Sequence, residues 1–448
     1  MRQIAQKQEG QFLAGFGKTD ITPEESVPMA SYGDDLRRFS EGKYSNLDAR
    51  ALAITDAKGV TMLFVVGDLS WCPSYLGEAI RQKIEEEMGI PQDHIVLSGT
   101  HTHSSVSPVH THLPAIMRYR ERYIAGMVEA ARLALEDRKK AEIYIGSVIT
   151  EDMNFVRRYI MDDGSLIGDN AYGTGTKIVS HETKADPKLQ LMKFVRQGSK
   201  DILMGNFQNH PHLEGYSKNI SAQVVGTFRD AVEERIGAHC IYWQGAAGNI
   251  NTHSRIEGET RIKDRVEWGI EMCRYTQSVY DTMTRVEPGE IRVATRTYPA
   301  RVNHMYDHIT DKAEDVVAYF NAGHTPQQTA EYAWQYGINS YYHAARILAN
   351  AKLAATKDMD LFAFSFGGVS GVVLPYEMFD TNGMYIKEHT PFDMTFIVGY
   401  SYPAYGGYLP SAKAWENGGY ECDNCTFAPG TAEELAEQYL DLLKQLHS

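Results

Sequence analysis

The sequence predicts an α/β protein with large mixed sheets flanked by helices, and three observations carry that prediction. Apolar runs of strand length recur along the chain, separated by segments with helical apolar spacing. Residues 60–99 give the clearest unit. An apolar strand at 60–67 is followed by a helix at 74–89 with Leu76, Ile80, Ile84 and Met88 on one face, then by the strand His94-Ile-Val-Leu. Finally, several apolar runs end in side chains able to hold a metal ion, and ligands of open α/β sheets collect beyond the carboxyl ends of strands.

In chain order, residues 12–17 read as an edge strand running into the turn at Pro23, and 49–55 as a strand closed by Lys58-Gly59. A helix is expected over 117–140, ended by Arg138-Lys-Lys, then a strand over 142–149. The Gly-, Asn- and Thr-rich stretch 165–186 reads as a loop. Residues 190–195 and 201–207 form a hairpin, 221–236 a helix and 240–243 a strand. The small-residue turn Gln244-Gly-Ala-Ala-Gly-Asn-Ile-Asn251 follows, suited either to close backbone approach to a ligand or to tight packing. Residues 258–286 and 307–357 are mainly helical, the latter broken at 323–326. Strands at 360–366, 369–374 and 396–400, a tyrosine–glycine loop at 402–420 and a helix at 431–446 close the chain. No repeat, low-complexity tract or linker divides it, so a single domain over 1–448 is expected.

A hydrophobic content of 43% and a charged content of 23% are those of a globular protein. The net charge of −14 excludes a nucleic-acid groove, which needs clustered Lys and Arg. The 27 tyrosines suit apolar walls that also need a hydroxyl. Cys422 and Cys425 form a single CxxC without the second pair that a Cys₄ zinc site requires, and read as structural. The first ten residues hold no apolar signal core and no apolar run approaches a membrane span. The expectation is a soluble, cytoplasmic protein as the sequence stands, secreted or periplasmic if a leader precedes it.

The segment Ser98-Gly-Thr-His-Thr-His-Ser offers two imidazoles at the end of a strand. Residues i and i+2 of an extended backbone share a face, so His101 and His103 aim at one place, as metal ligands or as a surface pair. The strand at 201–207 delivers His210, with Pro211 stopping it there, and the strand at 369–374 delivers Glu377. A second HxH, His110-Thr-His112, lies in a proline-punctuated loop and reads as rim or substrate contact. Donors of His, His and Glu type from separate elements, without thiolate, make the hydrolytic rather than the structural kind of zinc site.

These residues fall within motifs that resemble the neutral/alkaline (non-lysosomal) ceramidase family. The resemblance runs from Ala14-Gly-Phe-Gly-Lys-Thr-Asp-Ile-Thr-Pro23 and Asp48-Ala-Arg-Ala51 to Leu97-Ser-Gly-Thr-His-Thr-His-Ser104, the most specific of them. It continues through Phe207-Gln-Asn-His210, Gln244-Gly-Ala-Ala-Gly248, Leu374-Pro-Tyr-Glu377, Gly407-Tyr-Leu-Pro410 and Gly418-Gly-Tyr-Glu421. It implies a zinc-dependent amide hydrolase with a large α/β catalytic domain; the C-terminal β-sandwich domain of true ceramidases is expected to be missing, since the chain ends soon after the Tyr420 motif. It also implies zinc ligands at His101, His210, Glu377 and Tyr405, with Tyr402 and Tyr408 as alternatives to the tyrosine. His103 would then stand beside the metal, and Arg157 (or Arg158) and Tyr420 would face the substrate. The turn Gly248-Asn-Ile-Asn-Thr252 departs from the family's Gly-Asp-Val-Ser-Pro, so Asn251 replaces a serine and no serine mechanism can run there.

The leading expectation is hydrolysis of a C–N amide bond in an N-acylated small molecule or lipid. Zinc would lower the pKa of a water to about 7, His103 would handle its proton, and Arg157 and Tyr420 would donate to the carbonyl oxygen. A zinc-dependent ester or lactone hydrolase and a non-catalytic binding protein on the same fold are the alternatives. No nucleic-acid partner and no transmembrane segment are expected.

Overall fold

The computed structural model of the chain describes residues 11–32, 35–168, 175–403 and 407–448. Nine of the described strands build the largest sheet: β1 (Leu13–Asp20), β2 (Asp48–Thr55), β3 (Thr61–Gly67), β4 (Ile95–Gly99), β5 (Lys139–Ile149), β6 (Lys188–Arg196), β7 (Ile202–Phe207), β8 (His239–Gln244) and β9 (Thr284–Val286). Their order is β8-β7-β6-β5-β1-β2-β3-β4, with β9 also pairing β5. The pairs β3–β4 and β7–β8 are parallel and the others antiparallel, so the sheet is mixed. A second sheet, in the order of its labels, contains β10 (Ile291–Arg301), β11 (Thr356–Phe366), β12 (Val369–Val373) and β13 (Met394–Val398).

Strand alternation divides the apolar residues between two faces. On β3, Met62, Phe64 and Val66 enter a core shared with Phe364 and Phe366 of β11, while Leu63 and Val65 point the other way. The outer face at one end is covered by α1 (Ser74–Met88) and α2 (Pro114–Glu136), and at the other by α3 (Gln223–Arg235) and α4 (Arg265–Tyr280). The back of the second sheet is covered by α8 (Asp380–His389) and α9 (Thr431–His447), once α5 (Thr310–Asn321), α6 (Pro326–Trp334) and α7 (Tyr341–Asn350) are counted in chain order. The layers run helix, sheet, sheet, helix, which is the expected α/β class of large mixed sheets with flanking helices. Among the described residues no helix is long and apolar enough to cross a membrane.

Several expected boundaries are corrected. Strand β1 is interior rather than an edge, because β2 pairs it along its length and β5 pairs its other side at Leu13 and Ala14; Gly15 and Gly17 let backbone atoms of Ala130 and Ala134 on α2 lie directly over its face. The helix over 117–140 ends at Glu136, and Lys139 and Lys140 are exposed positions of β5 rather than a helix terminus. In 165–186, Leu166–Ile167 and Ile178–His181 pair with Tyr159–Met161 around the turn at Asp162-Asp-Gly164. Within 258–286 only α4 is helical, started by the Asp264 carboxylate accepting from the Val266 and Glu267 N–H groups. Strand β10 was hidden by Pro299, which an edge strand tolerates.

The ends of β4 and β8, opposite edges of the first sheet, are joined by one segment that follows β13. Gly99 N–H bonds to Tyr400 O at 3.0 Å, Tyr402 N–H to Leu97 O at 2.9 Å, and Gly399 N–H to Gln244 O at 2.8 Å. Beneath this closure Asp68, fully buried after β3, accepts from Arg229 on α3 at 3.0 and 2.7 Å. It also accepts from the Thr100 hydroxyl at 3.0 Å and from Asp48 N–H at 2.7 Å. Removing one partner of such a pair strands the other charge in the core, at a cost of roughly 3–5 kcal/mol. Arg229→Leu should therefore lose about 3–5 kcal/mol of unfolding free energy in urea. A loss below about 1 kcal/mol, the range of an exposed pair, would show that Asp68 is held by its neutral donors alone.

Candidate metal centre and cleft

Strand β4 ends at Gly99, and Thr100 is fixed through its hydroxyl to Asp68. His101 then adopts φ 63°, a left-handed conformation that costs a non-glycine residue free energy. Its N–H bonds to Leu69 O at 2.9 Å and its Nδ1 donates to Ser70 O at 2.6 Å. A carbonyl can only accept, so Nδ1 carries the hydrogen and Nε2 presents its lone pair. His210, after β7, is fixed in the same way by Nδ1 donating to Ala247 O at 3.1 Å. The two Nε2 atoms stand 3.0 Å apart, and His103 Nε2 lies 3.2 Å from that of His101. The side-by-side imidazoles expected of the Thr-His-Thr-His segment are present, but not by strand alternation. The strand has already stopped, and a left-handed residue makes the turn.

Glu377 reaches the histidines from the second sheet. Its N–H bonds to Gly407 O at 3.1 Å, and its own backbone carbonyl lies where a Cβ on Gly248 would sit. The small-residue turn is thus a packing device that seats Glu377, with Gly248 N–H bonded to Met378 O at 3.0 Å. Glu377 Oε2 stands 3.5 Å from His101 Nε2 and 3.8 Å from His210 Nε2. Tyr400, also left-handed at φ 55°, stacks on the His101 ring with centroids 3.8 Å apart, its hydroxyl 3.5 Å from Glu377 Oε2.

Burial holds all three imidazoles neutral: His101 is lowered to about 3, and His103 and His210 fall well below the usual histidine value. Burial also pushes Glu377 up to about 7, against the pull of Arg157. The lone pairs of His101 and His210 face each other with no hydrogen to share, an arrangement that a cation between them relieves. His101, His103 and His210 form a three-histidine group whose ligand atoms all lie within 4.8 Å of one another. With Glu377 beside them the donors are nitrogen and oxygen only, and they fit a divalent ion of the hydrolytic kind.

The sequence profile described as neutral/alkaline non-lysosomal ceramidase, N-terminal, matches residues 12–236, half of the 448-residue chain. The chain belongs to the neutral/alkaline ceramidase family. Among solved structures, the neutral ceramidase from Pseudomonas aeruginosa is similar with a TM-score of 0.73 at 16% identity, over 98% of this chain and 75% of that one. A ceramidase complexed with C2 is similar with a TM-score of 0.74 at 15% identity, over 98% of this chain and 76% of that one. At such identity these likenesses speak for the fold.

The ceramidase-like centre opens through His103 onto a cleft of ≈ 710 Å³, within the range of small-molecule sites. Arg157 and Tyr420 line it, as does Tyr408. Arg157 Nε donates to Glu421 at 2.9 Å while its guanidinium lies 5.3 Å from the Tyr408 ring centre. Arg158 turns away, buried between Glu182, Glu421 and the carbonyls of Ala414 and Gly418, so of the two arginines Arg157 faces the cleft. Tyr405 lies outside the described residues. Of its alternatives, Tyr402 is excluded from the site: it packs over Gly77 of α1, with Arg81 4.8 Å from its ring centre. His110 and His112 do not line the cleft. Cys422 and Cys425 are buried and belong to no metal-holding group among the described residues.

Three neighbours escaped the sequence reading. Tyr400 sat unmarked in an expected strand. His212 was passed over because Pro211 ends the strand before it, yet its ring lies 5.3 Å from that of His103 and its Nε2 donates to Asn251 Oδ1 at 2.7 Å. His253, 5.4 Å from the His212 ring, had no motif to mark it. Asn251, where a serine was expected of the family pattern, therefore supports a histidine of the cleft wall.

The titrations have a definite sign in the metal-free protein. Between its folded value of about 3 and its ordinary 6.5, His101 is protonated in the unfolded chain and neutral in the folded one. Stability is kept above pH 6.5 and lost as the pH falls toward 3. Glu377 runs the other way, its contribution present at low pH and lost as the pH rises through about 7. With a chelator present, the urea-unfolding free energy of His101→Gln should fall less steeply between pH 6.5 and pH 4 than that of the parent chain. Parallel curves would mean that His101 is protonated when folded.

Proposed function

We propose that this chain is a zinc-dependent hydrolase of the C–N amide bond in an N-acylated small molecule or lipid. The observation that carries the reading is the convergence of neutral His101 and His210 with Glu377 at the inner end of a cleft, in a member of the ceramidase family. His101, His210 and Glu377 would hold the ion, with Tyr405 as the proposed fourth donor. Bound there, zinc supplies a Lewis acid and makes hydroxide accessible near neutral pH. The relatives' activity supports an N-acyl substrate.

The protein's own groups account for the rest. His103 is neutral and in contact with both the centre and the cleft, so it can take a proton from the attacking water and return it to the leaving amine. Arg157 is held in place by Glu421, and Tyr420, kept protonated by burial, retains a hydrogen to donate. Both face the cleft and would stabilise the carbonyl oxygen as it becomes an oxyanion. The amide and one water become a carboxylic acid and an amine.

His101→Ala and His210→Ala should each lose both the metal, measured by plasma mass spectrometry, and the activity. Full occupancy in either would remove that residue from the ligand set. His103→Gln should keep the metal and lose about 10²–10⁴ in kcat, and loss of the metal instead would make His103 a ligand. Tyr420→Phe should lose about 10²–10³ in kcat. Matched esters and lactones in the same assay decide the bond: faster turnover of these than of any amide would replace the amidase reading.

A further inference from the structure

The wall of the cleft carries a charge, at Lys263, that the hydrolytic centre does not use. Among its described lining residues there is no carboxylate, in a chain of net charge −14. There are two cations, Arg157 and Lys263, and two histidines besides His103, His212 and His253. Leu213 is the one aliphatic side chain of the described lining; the remainder is tyrosine, hydroxyl and glycine. A long acyl chain gains about 0.8 kcal/mol per buried CH₂ where apolar wall covers it, and the apolar surface of this wall comes from tyrosine and histidine rings and Leu213 rather than from a run of aliphatic side chains.

The acidic residues next to the cleft are already committed elsewhere. Glu421 is held between Arg157 and Arg158 at 2.9 Å from each. Glu259 pairs with His181 at 2.7 Å and accepts from the Ser254 hydroxyl at 2.6 Å. Glu214 pairs with Arg265, and Asp264 is turned to the first N–H groups of α4. Lys263, beside Asp264, is exposed, lines the cleft and pairs with no described carboxylate. Its charge is the one at the cleft left without a counter-ion among the described residues.

The geometry points to an anionic N-acyl amide as the substrate, its acidic group facing Lys263 while the amide carbonyl lies toward His103, Arg157 and Tyr420. This rests on the amide-hydrolase reading for the identity of the bond, and on the cleft alone for the charge. An ammonium suits such a group as an unneutralised point charge that carboxylate oxygens can approach from several directions. The tyrosine faces suit a compact or aromatic remainder better than two long alkyl chains.

The test uses two pairs of compounds on the full-length, zinc-loaded protein. N-benzoylglycine is set against N-benzoylglycinamide, placing the charge on the amine half. Glutaryl anilide is set against benzoyl anilide, placing it on the acyl half. Binding is measured by calorimetry and hydrolysis by release of the amine. In at least one pair the charged member should bind about fivefold more tightly at low salt, with the preference shrinking as salt is added. Lys263→Glu should erase the preference, whereas Arg261→Glu, at an exposed residue paired with Asp152 outside the cleft lining, should keep it. Equal binding within both pairs, no measurable binding of any of the four, or a preference that survives Lys263→Glu overturns the inference. A charged preference without hydrolysis of any amide supports the anion site at Lys263 and removes the hydrolase reading. Hydrolysis that ignores charge, or that favours ceramide, does the reverse.

Discussion

The site depends on a single closure: the segment after β13 lies between the ends of β4 and β8, which occupy opposite edges of the nine-stranded sheet. Three backbone hydrogen bonds, from Gly99 to Tyr400, Tyr402 to Leu97 and Gly399 to Gln244, hold it there. Without it, His101 after β4 and His210 after β7 would lie most of a sheet apart. With it, their Nε2 atoms are 3.0 Å apart. The same segment carries Tyr400, whose ring fixes the His101 imidazole from one side. Apolar packing between the sheets, with Phe64, Trp243 and Phe364 in mutual contact, supplies the free energy that keeps the closure shut.

Electrostatics follow from that geometry. Folding buries three imidazoles at one point, and burial opposes their protonation more strongly than any nearby carboxylate favours it. The result is a set of lone pairs rather than a set of cations. Arg157 contributes to this by opposing positive charge on the histidines and supporting negative charge on Glu377. Its own charge is steadied by Glu421, which Arg158 also holds, and Arg158 is paired in turn with Glu182. Two of the left-handed non-glycine residues, His101 and Tyr400, fall in this same small region, so backbone strain and unfavourable desolvation coincide at the centre.

What could be read in advance follows the range of the interactions involved. The unit β3-α1-β4 was legible because its apolar periodicity is local, and so was the delivery of His101, His210 and Glu377 from separate strand ends. The interior position of β1 was not, because its second partner, β5, joins it at Lys139 and Lys140, far along the chain from Leu13 and Ala14. Strand β10 was concealed by a proline that only its edge position tolerates. Tyr400 was invisible for a third reason. Its role is set by a left-handed backbone and a contact across two sheets, and no pattern within its own strand encodes either.

The two halves of the site are built from different materials, and this bears on how the fold persists at 15–16% identity to solved ceramidases. The imidazoles of the centre are oriented by backbone carbonyls, Ser70 O for His101 and Ala247 O for His210, and Glu377 is seated by the backbone of Gly248 and Gly407. Carbonyls persist through nearly any substitution, provided the chain keeps its course. The cleft wall depends on side chains: Asn251 holding His212, Glu421 holding Arg157, and Lys263 standing free of acidic partners among the described residues. Substitution therefore alters the wall readily and the centre hardly at all. On this division, the departure at Asn251 falls in the support of the cleft wall, where it holds His212, and leaves the backbone-held histidines of the centre in place.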